Sequence, residues 1–418
     1  DLEAAEDVLR SEPRIATENL HVAAALGRVD DVKRLIGENP SRVSSRAGTF
    51  SGEPLLYLCY SPFHGQSAAR DAGLLAAASA LLDAGADPNA TDGRYHVPVL
   101  HAVTGMRSVL PLARLLLGAG ANPTDGESVF HAAENFHEEA LELLLASGAD
   151  LNFVGDWGNT ALYFLLRWHD VEREKTVQRG VTWLLEHGAD PDVRSGTEQE
   201  SALHVAVRRG QGASVITLLL DHGADVHARR DDGATPWLLA RRGGFDALAA
   251  MLETAGAQTQ PLSPLDELLA ACGRGDVDAA RRLTSVVLLD SLSASDRQLM
   301  VEAAASGRDS TVLACVAAGF DCGALDGMGA TALHHAAIHG RLSAVRALLA
   351  AGSDIATRDR EHHSTPLGWA LFGADHVADA DGDYPGTVRE LLRVGARPTV
   401  GEYLPEHEAV RAVLAEFP

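Results

Sequence analysis

Histidine is the first residue type that invites a chemical reading, because the chain carries 18 of them. His335 and His339 are spaced to share one helix face, with His362 and His363 shortly downstream. Imidazoles so placed can share a zinc ion. The intervening Ala336-Ala337-Ile338 lacks the glutamate of a zinc protease, so the pair reads as ordinary helix surface. Asp379-Ala380-Asp381-Gly382-Asp383 resembles part of a calcium loop. With Gly382 at the sixth position of an EF-hand, Val377 and Val388 fall where the ion needs carboxylates, and the register fails. No G-x-S-x-G, phosphate-binding loop or dinucleotide fingerprint occurs. A sugar-cleaving acid pair needs two selected carboxylates, and no spacing singles out two among 58 Asp and Glu. Neither a metal nor another cofactor is expected.

Arginine offers a different chemistry. Arg208, Arg209, Arg229, Arg230, Arg241 and Arg242 form a positive block in a chain of net charge -23. Such a run is ordinarily a solvated face. Its functional reading is a site for an acidic partner segment, because guanidinium forks pair well with carboxylates. The overall negative charge disfavours nucleic acid and anionic membranes as partners. No apolar run approaches the ~18 residues of a membrane helix. Cys59, Cys272, Cys315 and Cys322 are scattered, without a CxxC pair, which suits a reducing, cytoplasmic setting. Hydrophobic residues at 46% are ample for a core. The chain opens on Asp1 rather than Met, as a trimmed chain would, and nothing else suggests secretion. Lysine occurs only at Lys33 and Lys175; with the heavy use of Arg and Ala, this suggests a GC-rich bacterial gene.

The elements that must position these side chains are repeated. Gly-Ala-Asp and its variants recur from Gly85-Ala86-Asp87 through Gly223-Ala224-Asp225 to Gly352-Ser353-Asp354, with a period of about 33 residues. Each marker follows a leucine-rich run, as in Leu218-Leu219-Leu220. This predicts a helix ended by a left-handed glycine, then a turn opened by Asp or Asn. Upstream lies a second block, fullest at Thr331-Ala332-Leu333-His334-His335-Ala336-Ala337 and looser at His21, His131 and His204. Its Thr or Ser caps a helix, and its alanines allow close packing. The histidine in this block, with His101 in the same slot, is expected to bond a neighbouring turn and tie repeats together.

Two motifs in register at this spacing resemble the ankyrin repeat, over about residues 17–400. The resemblance implies an all-α solenoid of about eleven helix-turn-helix units with short β-turn hairpins. Residues 1–16 read as an N-terminal cap, 17–399 as the array and 400–418 as a C-terminal capping helix; the units near 262–325 are degenerate. Capping is needed because end repeats otherwise show apolar faces to water.

Three units carry insertions after the inner helix, at 62–71, 168–178 and 373–386. Loops carry function more often than scaffolds do. In a fold of this family the inner helices and hairpins line a concave groove. The resemblance then places Tyr60, Phe136, Trp168, Arg208, Arg209, Arg242, Ile338, His339, Trp369 and Phe372 at or beside the groove. Exposed Tyr, Trp and Arg dominate binding hot spots. The bland reading is that Trp369, like Tyr57, Tyr163 and Phe164, simply fills the core. The expected function is a non-catalytic, monomeric scaffold that binds a protein partner. The alternative is an enzyme acting on a small molecule or carbohydrate, with a pocket between the 373–386 loop and Trp369 or His339.

Overall fold

Inner helices begin where a hydroxyl or a proline can start them. Thr160, Thr235 and Thr365 accept hydrogen bonds from the backbone N–H of Tyr163, Leu238 and Gly368. Ser263 and Ser293 form capping boxes with Asp266 and Asp296. Pro54, Pro236, Pro264 and Pro366 occupy the first helical turn, where no N–H is needed. The computed structural model describes residues 10–12, 14–167, 174–377, 379–398 and 403–417. Inner and outer helices alternate, from Leu20–Ala25 and Val29–Glu38 to Pro366–His376 and Tyr384–Arg393. No strand forms among the described residues; hairpins close on isolated bridges such as Ala47 with Gly52 and Thr91 with Pro98.

The outer helices end as the glycine markers predict. Gly223 has φ +87, and the N–H groups of Gly223 and Ala224 bond the carbonyls of Leu220 and Leu219. This satisfies carbonyls the helix leaves open. Leu144, Leu219 and Leu348 of the outer helices are fully buried, as are Ala336 and Ala337 of an inner one. Small residues set the spacing. A Cβ on Gly373 would sit 2.0 Å from the Ile338 carbonyl oxygen.

The chain falls into two compact units, one of Asp1–Val205 with Thr217–Ala224, the other of Ala206–Ile216 with Asp225–Pro418. In the first, successive hairpins are joined by side-chain rungs. Asn89 Nδ2 donates to the Gly120 carbonyl at 3.1 Å, and Asn89 Oδ1 accepts from Asn122 N–H at 2.7 Å. Asn152 does the same with Gly188 and Asp190, at 3.3 and 2.7 Å. Between them Thr124 Oγ1 accepts from Asp150 N–H at 2.8 Å.

In the second unit, the segments read as degenerate still form helices, Pro264–Gly273, Val277–Leu283, Ala294–Ala305 and Asp309–Ala318. A short helix, Val286–Asp290, runs where a hairpin is expected. Leu268, Met300, Cys315 and Leu333 share one buried cluster.

The insertions are smaller than the sequence suggests. The outer helix after the first starts at Ala68, and Phe63 before it is buried under Arg70. In the second, 168–173 lie outside the described residues and helix resumes at Glu174. In the third, the inner helix continues through Gly373 to His376, because that glycine lets it lie against Ile338. Near the C-terminus, helix Glu408–Ala415 buries Val410 and Val413. Residues 1–9 and 13 of the expected N-terminal cap lie outside the described residues.

Candidate functional site

Two groups of charged and aromatic side chains stand out, one in each unit. In the second unit the arginines of the positive block, save Arg229, which donates to the Gly233 carbonyl at 3.0 Å, face carboxylates of the chain itself. Arg208 donates to Glu302 Oε1, and Arg209 Nη2 lies 3.5 Å from the same oxygen. Arg242 Nε donates to Asp266 Oδ1 at 2.6 Å, and its Nη1 to Asp296 Oδ1 at 3.3 Å. Arg230 is buried and donates to Asp232 Oδ2 at 2.5 Å and Ser295 Oγ at 3.2 Å. Burial pushes the Asp266 carboxyl up; bonds from Ser263 and Arg242 outweigh that and hold it below the usual carboxylate range. Charge-assisted bonds of this kind fix geometry. These guanidinium groups therefore join helices of the unit.

Near the end of this unit the Ile338 carbonyl accepts from Tyr384 O–H at 3.2 Å. His339 Nδ1 lies 3.5 Å from Asp379, which also accepts from Arg341 at 2.8 Å. His335 instead faces Asp326 at 2.8 Å, so His335 and His339 serve different carboxylates. Trp369 is 8% exposed and donates to Asp359 Oδ2 at 3.0 Å. It is a core residue, because its indole N–H finds a buried acceptor. Phe372 is exposed and packs with His376 and Tyr403 at ring distances of 4.2 and 5.6 Å.

In the first unit Tyr60 is half-buried and stacks on Phe50 at 6.4 Å. Its hydroxyl makes no hydrogen bond among the described residues. Burial, and after it the carboxylate of Asp92 with those of Glu127 and Asp125, push that hydroxyl up. Phe136 adopts φ +49 and carries the Arg179 guanidinium 4.0 Å above its ring. Trp168 lies outside the described residues.

Histidine in the repeated slot takes different states. His334 Nδ1 accepts from Thr331, and its Nε2 reaches the Ser364 carbonyl of the next hairpin at 3.3 Å. His21 reaches the Ser45 carbonyl likewise, at 2.9 Å. His131 lies instead between Glu134, 2.8 Å from Nδ1, and Glu127, 3.3 Å from Nε2. Burial disfavours its charge, but the two carboxylates raise it to about 9. His101 packs edge-on against His131 at 4.6 Å. Burial, then the neighbouring imidazole, lower it to about 4. Its Nδ1 is buried without a partner, because Pro98 stands where another copy of the motif has a capping hydroxyl.

Sequence reasoning missed the rings on the hairpins. Phe50, Tyr95 and Trp157 are 47%, 52% and 73% exposed. Trp157 Nε1 donates to Glu127 Oε1 at 3.2 Å. The signal was present, since an aromatic follows or flanks the turn aspartate in Asp92-Gly93-Arg94-Tyr95 and Asp156-Trp157. The helical period points to inner helices and says nothing of these turns. Among the described residues no group of three or more His, Cys, Asp or Glu is arranged to hold a metal ion.

Models of ankyrin repeats match residues 173–262, 299–400 and 129–176. The chain belongs to the ankyrin-repeat family. The ankyrin matches cover His131, Trp157, Arg242 and Phe372, while Phe50, Tyr60 and Glu127 lie outside them. Among curated relatives, 2-5A-dependent ribonuclease of Mus musculus is 44% identical over 70 residues, 16% of this chain and 9% of that protein. Nuclear factor NF-kappa-B p105 subunit of Gallus gallus is 28% identical over 190 residues, 43% of this chain and 19% of that protein. Ankyrin repeat and SOCS box protein 11 of Danio rerio is 34% identical over 125 residues, 30% of this chain and 38% of that protein. The chain thus spans less than half the length of each. The solved human ASB11 ankyrin repeat domain matches 58% of this chain and 99% of its own, at 25% identity and a TM-score of 0.41. No described helix is long and apolar enough to cross a membrane.

Proposed function

We propose that the protein is a non-catalytic scaffold that holds a partner protein against its inner helices and hairpins. The observation that carries this reading is a set of large rings left in water on repeated elements, Phe372 on an inner helix and Phe50, Tyr95 and Trp157 on hairpins. Such side chains cost solvation free energy unless something covers them. Membership of a repeat family used largely for protein binding supports the same reading, though fold alone does not establish function. The enzyme alternative gains no support. Trp369 is buried, and the loop before Tyr384 rests on the array, with Asp383 N–H bonded to the Gly340 carbonyl. Four buried free thiols suit a reducing, cytoplasmic setting, and the scaffold acts as a monomer.

The test is affinity capture from host lysate with wild type and with Tyr60→Ala, Phe136→Ala and Phe372→Ala, each checked for unchanged melting. A specific protein lost from the variants is the expected result. Capture that ignores all three substitutions overturns the assignment of these surfaces.

A further inference from the structure

The hairpin tips of the first unit combine exposed rings with an exposed acid. Trp157 is 73% exposed and its indole N–H is bonded to Glu127 at 3.2 Å. Asp156 beside it is exposed and pairs with no cation among the described residues. The neighbouring hairpins touch one another. Gly93 N–H bonds the Phe50 carbonyl at 2.7 Å, and Gly126 packs against Gly155. Phe50 covers Tyr60, whose unbonded hydroxyl lies in the field of Asp92, Asp125 and Glu127. His131 balances only part of this charge, since it is already held between Glu127 and Glu134.

The same unit shows how its rings receive cations. Arg94 lies over Tyr95 at 4.9 Å, Arg167 over Phe164 at 5.2 Å and Arg179 over Phe136 at 4.0 Å. Trp157, the ring type that binds cations best, carries none among the described residues. Glu127 holds its indole N–H and Asp156 precedes it in the chain, so a guanidinium or ammonium on the ring has carboxylates close by.

We propose that the Phe50, Tyr95 and Trp157 hairpins form a docking surface for a basic segment of a partner protein, whose arginine or lysine stacks on Trp157 and pairs with Asp156. This rests on the scaffold reading and adds the partner's chemistry. An acidic segment is repelled, and nucleic acid is excluded by the same charge.

The test selects a phage library of random peptides on the full chain, then measures the enriched peptides by fluorescence anisotropy. Enrichment of Arg- and Lys-bearing sequences is expected, with affinity falling as salt rises. Trp157→Ala should weaken binding about tenfold or more, and Asp156→Asn by a smaller factor, with circular dichroism unchanged. Enrichment of neutral or acidic peptides, or no enrichment, overturns the proposal. So does a basic peptide bound equally by wild type and by the Trp157→Ala, Asp156→Asn double variant, since diffuse attraction to an acidic protein then explains it. Basic peptides that fail while lysate capture still depends on Phe136 or Phe372 remove this surface and leave the scaffold reading intact.

Discussion

The two units use arginine differently, although Arg28, Arg34, Arg42 and Arg46 of the first also pair with acids close by in sequence. In the first, Arg70, Arg94, Arg167 and Arg179 lie on the rings of Phe63, Tyr95, Phe164 and Phe136. In the second, Arg208 and Arg242 bind carboxylates remote in sequence, Arg230 binds the nearby Asp232, and Arg308 over Phe245 is the counterexample. The difference follows from what the helices offer. Asp266, Asp296 and Glu302 all come from the segments that lost the repeated histidine motif. Acids there replace the Thr-x-x-His tie and meet arginines of earlier helices. The first unit keeps rings instead, and of its hairpin acids Asp92 is buried in its turn while Asp156 is exposed. One block of charge is thus internal structure, while Asp156 of the other stays exposed.

The widest test compares a core leucine of each unit's outer helices. Leu144→Ala in the first and Leu348→Ala in the second, both 0% exposed, should each cost about 2–5 kcal/mol. Chemical denaturation of the two variants checks it, and a unit that tolerates its truncation does not pack as described. Next, Arg242→Met leaves Asp266 and Asp296 largely buried without their cation, which should cost about 3 kcal/mol. Arg179→Met, which removes only a ring contact, should cost about 1 kcal/mol or less. Equal losses would erase the contrast.

Proton linkage separates the units further. His131 is raised to about 9 in the fold, against roughly 6.5 unfolded. The stability it contributes is complete below about 6.5 and is lost as pH rises through 9. His101 is lowered to about 4; between roughly 6.5 and that value the unfolded chain binds a proton the fold refuses, so stability falls as pH drops. These two imidazoles should therefore give the first unit a stability maximum near pH 6.5, with losses of order 1–3 kcal/mol on each side. His131→Gln should flatten the alkaline limb and leave the acid limb. In the second unit His334 is lowered by burial and gives an acid limb only. A further expected effect is common to both units. Gly223 and Gly352 have φ +87 and +89, with open space where a Cβ would sit, so valine at either should cost about 1–2 kcal/mol from backbone alone. Melting temperatures of the two variants report it, and an unchanged value would contradict the left-handed helix end.

The repeat itself was legible because glycine, capping hydroxyls and leucine recur on a fixed period, and each has a local backbone cause. The tie from His21 and His334 to the next hairpin was legible for the same reason. The roles of Arg208, Arg209 and Arg242 were not, because their partners Glu302, Asp266 and Asp296 are remote in sequence and sit in the least repeat-like segments. Trp369 was ambiguous between groove and core until Asp359 appeared as its acceptor. The hairpin rings escaped notice because exposure depends on which side of a turn a residue falls, and periodicity does not encode that.

The rungs between hairpins in the first unit have a consequence for ancestry. Asn89 and Asn152 bond only a backbone N–H and a carbonyl of the block that follows. Each block carries its own hook and asks no particular side chain of its successor. A block gained or lost through unequal recombination leaves a seam that still closes. The length of such an array can change in evolution by whole blocks, without redesign of the junction.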